Sequence, residues 1–151
     1  MPKPFTEAFV VTRFSNATIR FIHSGCGGDR VDGGSNGPIE IRLNRDVIAY
    51  QPTVVTVMLR MNDGGYRAFD TGLFKIYTAG YEHIVKTLKT ALPKARITAI
   101  QPSPYDDVTR PPLFDGGYNS VLTRYGAFVR ELAVREGLLY ADDPAGLVFT
   151  P

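Results

Sequence analysis

Val54-Val55-Thr56-Val57-Met58-Leu59-Arg60-Met61-Asn62-Asp63-Gly64-Gly65 is the stretch that decides the fold of this chain. Its first six residues are almost wholly apolar, and the run stops at a polar pair followed by two glycines. A short Val-rich run without alternation suits a parallel strand covered on both faces. In open parallel sheets ligands bind beyond the carboxyl ends of the strands, which is where Asn62 and Asp63 then stand. A neutral amide at such a rim can donate a hydrogen bond to a developing oxyanion.

Outward from this strand, helical and strand periodicities alternate. Upstream, Thr18 to Ile22 alternates like a strand, and a glycine-rich turn, Ser24-Gly25-Cys26-Gly27-Gly28-Asp29, follows it. Phe5, Phe9, Val10 and Phe14 have helical spacing, with Thr6 as a candidate cap. Pro38 can open a helix whose stripe is Ile41, Leu43, Val47 and Ile48. Downstream, Tyr77, Tyr81, Ile84, Val85, Leu88 and Leu92 line one face of a helix over 74–92, which Pro93 ends. Arg96 to Ile100 reads as the next strand. A second helix over 119–135 turns Val121, Leu122, Tyr125, Phe128, Val129 and Leu132 inward, and Gly137 stops it. Leu138 to Ala141 is a last strand. Strands separated by helices predict right-handed crossovers and a flavodoxin-like α/β/α fold with a parallel sheet.

At 151 residues the chain is long enough for one domain with its own core. A net charge of +2, with scattered basic residues, gives no case for nucleic acid or an anionic membrane. The single cysteine, Cys26, excludes an internal disulfide and a multi-cysteine metal site. No His/Cys/Asp/Glu cluster has metal-ligand spacing, and no cofactor is implied. No apolar stretch reaches membrane-spanning length, and the first residues lack the apolar core of a secretory signal. Taken alone, that predicts a cytoplasmic chain.

The run Arg60-Met61-Asn62-Asp63 resembles block III (G-x-N-D) of the SGNH or GDSL-type hydrolases, with Arg60 where the family has glycine. Residues 97–112 are similar to the strand and active-site loop after block III, and residues 118–137 to the helix beyond it. Residues 20–34 resemble the strand and turn of block II. The resemblance implies an esterase-like site in which the Gly28 backbone N–H and the Asn62 side-chain amide form the oxyanion hole. Arg60 and Asp63 become substrate-binding candidates, and the ligand a small ester, such as an acylated carbohydrate. No G-D-S block occurs in the chain, and no histidine follows His83, whereas the family's base lies in a C-terminal D-x-x-H block. The expectation is therefore a single domain over 1–151, short at both ends, keeping the oxyanion half of the site without nucleophile or base. The resemblance also implies a sheet order of 2-1-3-4-5 without its first, central strand, which leaves open edges prone to self-association.

Other readings compete. Arg60 turns the site into a receptor for a small anion or sugar acid in a non-catalytic binding module, or the chain is a gene fragment without function. A Cys26–His23 pair is a candidate nucleophile and base, against a half-buried thiol beside a loop histidine. Asp106 and Asp107 with Arg110 read as paired carboxylates or as a loop-ordering contact. The glycine turn at 25–28 lacks phosphate-loop spacing. His83 reads as a boundary residue, Ser103 and Ser120 as backbone-bonding turn residues, and Asp29 as fixing its loop.

Overall fold

The computed structural model describes residues 5–101, 104–107 and 109–141. Its centre is a parallel sheet of β3 (Val54–Val57), β4 (Arg96–Ile100) and β5 (Leu139–Ala141), in that order. Val54 stands opposite Arg96, and Thr98 opposite Leu139. Before the sheet come α1 (Phe5–Arg13), a two-residue hairpin of β1 (Gly33–Gly34) and β2 (Gly37–Pro38), and α2 (Ile39–Arg42). A π turn (Leu43–Val47) and a 3₁₀ turn (Ile48–Tyr50) extend α2. Two long helices, α3 (Thr71–Ala91) and α4 (Gly117–Glu136), connect the strands. This is the α/β architecture with a parallel sheet that the periodicity predicts.

Local chemistry sets the bounds of the long helices. The Asp70 carboxylate accepts the Leu73 N–H at 2.9 Å and so caps α3. Tyr77, Tyr81, Ile84, Val85 and Leu88 are buried along α3 at helical spacing. The cap of α4 comes from the preceding loop, where Asp107 accepts the N–H groups of Tyr118 and Asn119 at 3.3 and 2.9 Å. Gly137, at φ 65°, closes α4 in the left-handed conformation that glycine adopts without strain. Val121, Leu122, Tyr125, Val129 and Leu132 face the core. Each fully buried aliphatic side chain contributes about 1.5–3 kcal/mol.

Two expectations are corrected. Thr18 to Ile22 forms no strand: the segment is irregular, with Ile19 and Ile22 exposed. Alternation fixes which side chains share a face, but a ladder also needs a partner edge. Among the described residues β3 pairs with β4 alone, leaving its outer edge with Val54 exposed. The segment over 38–48 is not one regular helix either. Its ladder slips from α to π to 3₁₀, Leu43 is buried and Ile41 is exposed. The cap candidates Thr6 and Ser103 lie outside the described side chains.

The glycine loop is docked on α3 through Val31, which is 1% exposed. A Cβ on Gly80 of α3 would stand 2.6 Å from a Val31 methyl carbon. Gly80→Ala is therefore expected to destabilise the fold by about 1–3 kcal/mol through overpacking, measurable as a lower urea midpoint. An unchanged midpoint would show that the loop moves freely over α3.

Candidate active site

The chain leaves the sheet at Val57 but remains supported as far as Met61. Tyr81 donates to the Val57 carbonyl at 3.2 Å, Tyr77 to Leu59 at 3.2 Å, and Tyr118 to Met61 at 2.8 Å. Buried tyrosines need a partner for the hydroxyl, and carbonyls beyond the end of a ladder need a donor. Tyr77 and Tyr81 are fully buried, and burial raises both hydroxyls above their ordinary pKa; Tyr118 is pushed up to about 12 for the same reason. All three therefore remain protonated donors at neutral pH.

The run expected to be covered on both faces alternates instead, with Val55 and Val57 buried and Val54 and Met58 exposed, and Arg60 breaks that alternation. Its φ of 153° belongs to the region that favours glycine. The side chain turns inward, is 2% exposed, and its guanidinium donates to the Leu122 carbonyl of α4. Gly126 leaves the room: a Cβ there would collide with the guanidinium. Arg60, expected to face a ligand, thus braces the rim from beneath, because the backbone at position 60 directs the side chain to the core.

Asn62 and the glycine loop stand together. The Asn62 amide donates to the Asp29 carbonyl at 2.9 Å, one peptide from Gly28, and its oxygen accepts the Tyr66 hydroxyl at 2.8 Å. Gly28 has φ 84°, and open space surrounds the position of a Cβ. The loop is pinned from its other side by Arg42, whose buried guanidinium bonds the Asp29 carboxylate, Asp46 and the Ser24 carbonyl. A β-carbon on Gly34 would stand 2.6 Å from Asp29 Oδ1, so the hairpin also requires glycine there.

Asp63 is an internal tie. It is 7% exposed, and its Oδ1 accepts the Val31 N–H at 2.9 Å, joining the block III turn to the glycine loop. Its other oxygen is buried without a hydrogen-bond partner among the described residues. Burial pushes its pKa up from 3.8 to about 6. A carboxyl facing inward in this way holds the loop together and is not presented to a ligand.

The competing pairs separate. His23 bonds Glu7 at 3.3 Å, and Cys26 accepts from the Asn36 amide at 3.1 Å, so thiol and imidazole have different partners. Asp106 accepts the Thr109 N–H while Asp107 caps α4, so the two carboxylates diverge. His83 is exposed and paired with Glu40, and Ser120 bonds the Gly117 carbonyl. Sequence reasoning missed Tyr66, Arg42 and the Asp107 cap. The Arg42–Asp46 pair at i,i+4 is a legible signal, whereas nothing local marks Tyr66.

A raised carboxyl pKa gives the sign of a pH effect. Between pH 4 and 6 the folded chain keeps a proton on Asp63 that the unfolded chain releases. Stability therefore falls as pH rises through that window, and the cost, on the order of 3 kcal/mol, is fully present above pH 6. Asp63→Asn keeps the acceptor for Val31 and removes the titration. Urea midpoints from pH 4 to 7 are expected to show the variant gaining on the parent across that window; a constant difference would count against a buried, titrating Asp63.

Comparison with known proteins places the fold in a family. Residues 3–148 match the model of the GDSL-like Lipase/Acylhydrolase family. No curated protein matches the chain. Among solved structures it is similar to Axe2, an acetylxylan esterase from Geobacillus stearothermophilus, at 21% identity and a TM-score of 0.71, covering 91% of this chain and 60% of that one. A protein described as a GDSL-like lipase from Parabacteroides merdae superposes at 18% identity and a TM-score of 0.69, covering 90% of this chain and 60% of that one. The chain thus spans about three fifths of the length of these structures, and the likeness is one of fold. With residues 3–148 matched, nearly the whole of its length, the chain belongs to the GDSL-like lipase/acylhydrolase family.

Proposed function

We propose that this chain carries the oxyanion-binding half of an ester-hydrolase site, formed by the Asn62 side-chain amide and the Gly28 backbone N–H. The observation that carries the reading is the hydrogen bond from Asn62 Nδ2 to the Asp29 carbonyl, which ties the amide to the glycine loop one residue after Gly28. Two donors held in place before reaction are worth several kcal/mol to acyl transfer, because no reorganisation is needed as charge develops. The acetylxylan esterase similarity supports an acyl ester borne on a carbohydrate as the substrate class.

These 151 residues include no G-D-S block and no histidine beyond His83. Cys26 and His23, the remaining local pair, have separate partners. The chain by itself is therefore expected to turn over p-nitrophenyl acetate about a million-fold more slowly than an enzyme with a full triad, which is below detection. Reproducible turnover abolished by Asn62→Ala would refute this expectation. The donor assignment has its own test in an NMR titration with methylphosphonate, an anion that mimics a tetrahedral oxyanion. The Gly28 N–H and Asn62 Nδ2 resonances are expected to shift together along one binding curve that Asn62→Ala removes. Independent curves, or a Gly28 signal that stays put, would overturn the shared site.

A further inference from the structure

Tyr66 lies just past the block III turn in a conformation a tyrosine rarely adopts. Its φ is 53°, following Gly65 at 66°. A bulky residue there carries about 1–3 kcal/mol of backbone strain, and such strain persists only where surrounding contacts enforce it. The contacts are on hand. The Tyr66 ring stacks on Tyr118, with centroids 5.0 Å apart and planes at 30°, and it lies 5.9 Å from the Tyr105 ring. Tyr118 is itself fixed by its bond to Met61 and by Gly64, where a Cβ would stand 2.5 Å from its hydroxyl. Tyr105 is fixed by Asn119, whose amide donates to its carbonyl and accepts its N–H, both at 2.6 Å. This framework aims the Tyr66 hydroxyl at Asn62 Oδ1.

The direction of that bond follows from its neighbours. The Asp29 carbonyl can only accept, so the nitrogen of the Asn62 amide faces it and the amide oxygen faces Tyr66. The Tyr66 hydroxyl therefore donates. We propose that Tyr66 is a positioning residue for Asn62: its hydroxyl locks the amide orientation and polarises it, leaving the second Nδ2 proton for an anionic ligand. Donation to an amide oxygen draws electron density from the nitrogen and strengthens its N–H groups as donors. With one Nδ2 proton on the Asp29 carbonyl, no second partner of that nitrogen appears among the described residues. This role rests on the reading of Asn62 as an oxyanion donor, and it explains why a strained tyrosine is kept where the chain needs a left-handed residue.

The test reads the Asn62 amide in the ligand-free full chain, so its outcome is independent of whether methylphosphonate binds. Tyr66→Phe keeps the stacked ring and loses the hydroxyl; Tyr66→Gly also suits the backbone and loses both. In either variant the Asn62 Nδ2 protons are expected to move upfield and to exchange about fivefold faster, equivalent to one hydrogen bond of about 1 kcal/mol. A tyrosine serving only the fold would lower the melting temperature and leave those resonances in place, and that result in either folded variant overturns the proposal. Should neither variant fold, the Tyr66 hydroxyl proton of the unaltered chain decides: slow exchange supports the bond, and exchange as fast as in free tyrosine overturns it.

Discussion

Three tyrosine hydroxyls carry the backbone from the end of the sheet to the candidate site. Beyond Val57 the chain leaves the β3–β4 ladder, yet the carbonyls of residues 57, 59 and 61 are met by Tyr81, Tyr77 and Tyr118. A buried carbonyl left without a donor costs about 1–3 kcal/mol, so this set of bonds decides whether residues 58–61 have one conformation or many. The donors come from α3 and α4, and the rim is therefore only as well placed as those two helices are packed. The mutual contacts of Tyr77, Tyr81 and Tyr125, with ring centroids 4.6–5.6 Å apart along the chain of three, make the packing rigid where it matters.

Asn62 is then held by a second network built from the opposite direction. Arg42 clamps Asp29, Asp63 holds Val31, and Val31 packs against Gly80, so the glycine loop is tied both to α2 and to α3. Charge plays different roles in the two ties. Arg42 and Asp29 meet as an ion pair at the edge of the core, whereas Asp63 is pushed toward its neutral form by burial. The Asn62–Asp29 bond closes the circuit between strand end and loop. In the proposed oxyanion role, an Asn62 amide bonded at both its nitrogen and its oxygen needs little reorientation when charge appears.

Arg60 illustrates how a departure from the family pattern is absorbed. A glycine at this position permits φ 153° without strain, and arginine keeps that backbone while sending its long side chain into the notch at Gly126. The cation then serves α4 by bonding the Leu122 carbonyl. Its charge lies under the rim, and the surface of the site is shaped by Asn62, Tyr66 and the glycine loop.

The sequence by itself determined the α/β class, the strand at 54, the two long helices and the inward faces that include Tyr77, Tyr81 and Tyr125, because periodicity and caps are local properties. It also marked Asn62 and Gly28 through their resemblance to two family blocks, and the fold bonds Asn62 to the carbonyl of Asp29, the residue after Gly28. Only the tertiary structure decided which way Arg60 points, that Asp63 ties Val31, that Asp106 and Asp107 part, and that residues 18–22 stay outside the sheet. Each of these depends on a partner 10 or more positions away or on a ladder edge, and periodicity carries no information about partners. Tyr66 belongs to the same class, since its meaning comes from a ring on α4 and from an amide whose orientation another loop had already fixed.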